Sequence, residues 1–221
     1  MSGKLSDYLL YQVEDLWQGY LEHPFIIGMA TGELEERKFS YYLLQDYLYL
    51  KEYIKVFAVT LSKADDFSEI KFLLDSMNDI FEETFRVHVP YMKRLGISEE
   101  EIQSVQPHPS NINYTNDMLL AAQSGDVLDG LVAILSCSWS YAYIARETLK
   151  IYPTAMQDER YGEWFEGYYC SEYQLGNEEL IQHINQLAQG ITAEKRERLA
   201  TIFTNCSQHE MNFWDMAWQQ G

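Results

Sequence analysis

Apolar residues recur at i, i+3, i+4 and i+7 along almost the whole chain, and strict alternation is scarce. The stretch Phe39-Ser-Tyr-Tyr-Leu-Leu-Gln-Asp-Tyr-Leu-Tyr-Leu50 sets the pattern. A stripe of that period stays on one side of an α-helix but cannot stay on one face of a strand, so the chain has to fold as packed helices. Only 5 prolines interrupt 221 residues, which leaves room for long elements.

Capping and breaking residues divide the pattern. A first helix is expected over about 6–22, stopped by Pro24, and a second over about 35–63 after the Thr31-Gly32 turn. Asp66-Phe-Ser-Glu69 and Ser98-Glu-Glu-Glu101 read as capping boxes, opening a third helix that ends near Gly96 and a short fourth broken by Pro107 and Pro109. A fifth spans about 110–124, and Asp126 caps a sixth that ends near Tyr152-Pro153. The remainder reads as helices over about 163–174, 177–189 and 193–219. With short connections and no repeat or linker, residues 1–221 are expected to form one all-α domain of eight or nine helices.

Charge narrows the partners. With 16 Lys and Arg against 34 Asp and Glu, the formal charge is −18, which opposes binding to nucleic acid or to anionic membrane. Acidic residues at positions 7, 14 and 15 interrupt any export leader. The uncharged run between Asp129 and Arg146 falls short of the ~20 residues that span a bilayer. Three widely spaced cysteines cannot form a disulfide framework within one chain, so a reducing cytoplasm is expected.

No histidine follows a Glu at the Glu-x-x-His spacing of carboxylate-bridged di-iron bundles, and Cys206-x-x-His209 is an isolated pair. His23 could in principle serve as an axial haem ligand, although Pro24 suggests a cap. More informative are polar groups embedded in apolar faces. Asp46 shares its face with Tyr49 and Tyr53, and Glu210 shares one with Phe213, Trp214 and Ala217. A carboxylate in such surroundings is either a hydrogen-bonded structural group or an acid with a raised pKa suited to proton transfer. Cys137 lies mid-helix with Tyr141 one turn on; it is either packing or a nucleophile. These features leave an enzyme, a small-molecule binder and an interaction domain all open.

The order of signposts along the chain resembles the TenA family, the thiaminase II proteins or aminopyrimidine aminohydrolases. They are Trp17 with His23-Pro-Phe25, Tyr41-Tyr-Leu-Leu-Gln-Asp46-x-x-Tyr49, Tyr114-Thr115, Cys137-x-Trp-x-Tyr141, Trp164-x-x-Gly-Tyr168 and Glu210-x-x-Phe-Trp214. The resemblance implies a haem-oxygenase-like helical bundle and places the chain in the family's cysteine-bearing branch. It implies that Cys137 is the nucleophile and that Asp46 holds the exocyclic amino group and a ring nitrogen of a 4-aminopyrimidine. Glu210, assisted by Tyr114, would bond another ring nitrogen and supply protons. Tyr49 and Tyr168 would surround the ring and Tyr141 would lie beside the Cys. It further implies a homotetramer acting on a small-molecule aminopyrimidine without metal or organic cofactor. A non-catalytic pyrimidine binder and a haem binder using His23 are the competing expectations.

Overall fold

A computed structural model describes residues 3–220, without the side chains of residues 83, 86 and 220. Among the described residues there are eleven α-helices and no strand. They are α1 (Leu5–Glu22), α2 (Pro24–Thr31), α3 (Glu36–Leu61), α4 (Phe67–Glu83), α5 (Val89–Arg94), α6 (Glu99–Ser104), α7 (Pro109–Ser124), α8 (Val127–Ile151), α9 (Gly162–Tyr169), α10 (Ser171–Leu187) and α11 (Ala193–Gln220). A π-helical turn, Thr84–His88, joins α4 to α5, and a 3₁₀ turn, Ala155–Gln157, precedes α9.

Several boundaries differ from expectation. Pro24 does not simply end the first helix; it is the first residue of α2, where its missing N–H is no loss. His23 caps that helix by accepting the Phe25 N–H on Nδ1, and Gly32 closes it in the left-handed region at φ 73°. The element expected over 66–96 is interrupted by the π-helical turn. The break expected near Gly176 lies instead at Cys170, whose backbone is extended (φ −57°, ψ 152°). The reason is tertiary: Tyr168 packs on Tyr141 before the break, and Tyr173 donates to the Ser138 carbonyl after it.

Helix α8 is the central element. Its length and apolarity would suffice to cross a bilayer, yet it is surrounded by α3, α7, α9, α10 and α11. Leu131 to Leu135 are all fully buried. At its start Asp126 accepts the backbone N–H groups of Leu128 and Asp129, while Asp129 accepts that of Asp126, a reciprocal cap. Gly130 lets α8 approach α3 closely, because a Cβ there would lie 2.1 Å from Thr60 Oγ1. Helices α1 and α11 are joined by Trp17, whose indole donates to Ser207 Oγ at 3.1 Å, and by Tyr20, whose hydroxyl donates to the Ser207 carbonyl.

Asp129 is fully buried and pairs with Lys195 and Arg198 of α11. Its carboxyl is desolvated, but the two cations and the cap hold its pKa far below the usual carboxylate range. The folded form therefore gains stability above the unfolded pKa of about 3.9 and loses it as pH falls through that range. Asp129→Asn is expected to cost about 2 kcal/mol at pH 7, seen as a melting temperature lower by about 4–8 °C. The gap should narrow below about pH 4.

Candidate active site

Four helices carry the acidic and thiol groups to one place. Asp46 and Tyr49 come from α3, Tyr114 from α7, Cys137 and Tyr141 from α8, and Glu210 from α11. Seven residues of helix separate Gly130 from Cys137, two turns that keep both on the α3-facing side. The three central groups sense one another: the charges of Glu210 and Asp46 both act on the Cys137 thiol, and that of Asp46 acts on Glu210. All three are buried.

Glu210 accepts a hydrogen bond from the Tyr114 hydroxyl at 3.0 Å on Oε2. Its other oxygen, Oε1, is buried and has no hydrogen bond within ordinary geometry among the described residues. Burial, with the Asp46 charge adding to it, pushes the carboxyl up to about 8, against the pull of the Tyr114 and Tyr141 hydroxyls. A carboxyl held in that range is able to gain or lose a proton close to neutral pH. Burial also pushes the Cys137 thiol well above its ordinary range, and the Glu210 and Asp46 charges reinforce this, while Tyr49 and Tyr114 favour the thiolate. A free thiolate is disfavoured in these buried surroundings.

Aromatic rings form the walls. Tyr49 stacks on Tyr53 at 5.3 Å and packs 5.1 Å from Tyr114, with Phe213 edge-on at 6.0 Å. Tyr168 packs 4.8 Å from both Tyr141 and Trp164. The structure therefore brings together every residue that the sequence singles out for the site.

One neighbour escaped the sequence. His88 Nδ1 lies 3.4 Å from Asp46 Oδ2, and both side chains are buried. The π-helical turn that ends at His88 adds a residue to the helical register and so re-aims this side chain, a device frequent at functional sites. Nothing in the local pattern Thr84-Phe-Arg-Val-His88 announces that register change. By contrast, His23 has both ring nitrogens engaged: Nδ1 by the Phe25 N–H, and Nε2 at 3.3 Å from Asp215. It offers no nitrogen to a haem iron. Among the described residues no group of three or more His, Cys, Asp or Glu side chains is arranged to hold a metal ion.

A helical bundle that buries a thiol and two carboxyls between tyrosines has the haem-oxygenase-like fold. A solved haem-oxygenase-like domain of unknown function from Shewanella denitrificans shares the fold, at TM-score 0.80 and 16% identity over 100% of this chain and 94% of its own. The chain belongs to the TENA/THI-4/PQQC family, whose model matches residues 10–220. It is 35% identical to the aminopyrimidine aminohydrolase of Helicobacter pylori over 98% of this chain and 99% of that protein. The TenA homologue of P. horikoshii superposes with TM-score 0.90 at 31% identity, covering 99% of this chain and all of that one.

Proposed function

We propose that the protein is an aminopyrimidine aminohydrolase of thiamin salvage, acting as a single domain over residues 1–221. It would cleave the exocyclic C–N bond of 4-amino-5-aminomethyl-2-methylpyrimidine to give hydroxymethylpyrimidine and ammonia, with thiamin as a second substrate. The observation that carries this reading is the buried Glu210 carboxyl, bonded by Tyr114 at 3.0 Å and pushed up to about 8 by burial, near enough to the Cys137 thiol and Asp46 for their charges to act on one another.

The chemistry follows from those groups. Burial and the two neighbouring carboxyls favour the protonated Cys137 thiol. Attack is therefore best written as addition of S–H across a ring C=N bond: sulfur bonds to carbon and a ring nitrogen takes a proton from Glu210. The thiol proton restores the acid, so no isolated thiolate stands in the cavity. The electron-rich ring then expels the amine from the exocyclic methylene, the amine leaving as ammonia once protonated. Water adds at that methylene and gives up a proton to Glu210, which the departing amine had left ionised; the ring nitrogen then loses its added proton as C=N re-forms and the C–S bond breaks, and the sulfur takes up a proton as it leaves. Asp46 would hold the ring amino group and adjacent nitrogen, oriented from behind by His88. Tyr49 and Tyr168 would flank the ring, with Tyr141 beside the sulfur. Every step is acid–base or addition–elimination chemistry that these side chains can supply.

Incubating the purified protein with that aminopyrimidine and following ammonia release tests the reading; no release above the uncatalysed rate would refute it. The acidic composition and the three free cysteines are in keeping with a cytoplasmic location. The same reading includes a homotetramer. Phe67, Leu74, Phe81 and Phe85 are each half or more exposed along α4 and the turn after it, a surface such an assembly would cover. Light scattering should give a mass four times 25.9 kDa; a monomeric mass would remove the tetramer.

A further inference from the structure

Behind Tyr141 lies a pair of buried polar groups, Trp164 and Tyr42, to which the proposed mechanism gives no task. The Trp164 indole N–H donates to the Tyr42 hydroxyl at 3.1 Å, and the Tyr42 and Tyr141 hydroxyls are 3.2 Å apart. Tyr42 is fully buried, and Trp164 and Tyr141 nearly so. Their rings are held by Trp214, stacked 5.3 Å from Tyr42 and packed 5.4 Å from Tyr141.

Hydrogen-bond chemistry gives this chain a direction. An indole N–H can only donate, so Tyr42 must accept from Trp164. Tyr42 keeps one proton of its own, which it donates to the Tyr141 hydroxyl. Tyr141, having accepted, is left with its own O–H to point elsewhere. The reverse order, with Glu210 donating to Tyr141 and Tyr141 to Tyr42, would strand the Tyr42 proton in the core. A buried donor without a partner carries the full desolvation penalty. Donors in series also polarise one another, so the indole strengthens each later link.

We propose that Trp164 and Tyr42 are positioning residues for the proton carrier, forcing Tyr141 to direct its O–H toward Glu210. This rests on the reading of the site given above. The relay stabilises Glu210 after it has surrendered its proton, the moment at which a buried carboxylate is costliest. Other groups acting on Glu210 are distributed around it. Asp46 on α3 repels its charge, and Tyr114 on α7 donates to it. Cys137 on α8, Tyr20 on α1 and Tyr49 on α3 all lie within its field, as does Cys206 on its own helix. None of these residues is itself replaced in variants at 42 or 164.

The test compares Tyr42→Phe and Trp164→Phe with wild type in the full-length protein, reading the alkaline limb of kcat for ammonia release. Removing a relay donor weakens the ionised form of Glu210, so the limb should move to higher pH. A shift of about half a unit or more is expected for Tyr42→Phe, and a smaller one in the same direction for Trp164→Phe. A merely structural role would lower kcat and leave the limb in place. The second measurement needs no turnover: the pH titration of the Glu210 side-chain carboxyl by ¹³C NMR, assigned through Glu210→Gln. An upward shift there supports the relay even if ammonia release is absent, which would refute the enzymatic reading alone. Unmoved or lowered midpoints in folded Tyr42→Phe overturn the relay. If Trp164→Phe does not fold, Tyr141→Phe, which deletes the last link, must reproduce the upward shift.

Discussion

Cys137→Ser is expected to lower ammonia release roughly 10³-fold or more, since removing a nucleophile leaves only binding and orientation. The substitution replaces a sulfur by an oxygen in a site already lined by Tyr49 and Tyr114, so the helical fold and the affinity for the pyrimidine should persist. A hydroxyl is a poorer nucleophile than a thiol and is harder to deprotonate. The same buried setting that favours a neutral thiol would therefore leave a serine inert. Circular dichroism and ligand-induced thermal stabilisation in the variant separate lost chemistry from lost structure. Two results would each remove the nucleophile: an unchanged rate in Cys137→Ser, or tight pyrimidine binding with no turnover in wild type.

Glu210→Gln should lower kcat by roughly 10²–10⁴-fold, the span typical of general acid–base groups. It carries a second signature in stability. An unfolded glutamate ionises near 4.3, whereas Glu210 in the fold is pushed up to about 8 by burial. Between those values the folded protein holds a proton that the unfolded chain has released, so wild-type stability declines as pH rises through the window. Glutamine has no such proton. The melting temperature of Glu210→Gln relative to wild type should therefore climb from about pH 5 to pH 9. A difference that stays flat across that range would mean Glu210 is already ionised at neutral pH, and would remove it as proton donor. Loss of activity with gain of stability is the expected mark of a functional group placed at a thermodynamic disadvantage.

The parts of the fold that were legible in sequence are those fixed by local chemistry. The reciprocal cap at Ser98 is present, as are the Asp66 and Asp126 caps, because a side chain that satisfies its own helix end needs no distant partner. Pro24 was ambiguous for a physical reason: proline both ends one helix and suits the first position of another. The π-helical turn at Thr84–His88 and the extended Cys170 carry no local signal. They are set by what His88, Tyr168 and Tyr173 reach elsewhere in the fold. The site divides in the same way. Asp46, Cys137 and Glu210 were visible as polar groups inside apolar stripes, but periodicity could not say that three stripes meet; the family resemblance supplied that. His88 and the Trp164–Tyr42–Tyr141 relay depend on tertiary register, and Tyr42 reads in sequence as one more aromatic core residue.

The contact between Gly130 and Thr60 has a bearing on the sulfur two turns away. Because a side chain at position 130 would collide with α3, the missing Cβ works as a spacer that sets how deeply α8 seats. Cys137 rides about 10 Å further along the same rigid rod. Reactivity in such a bundle is then gauged partly by an atom that is not there, and drift at a position that never meets a substrate would retune the reach of the thiol.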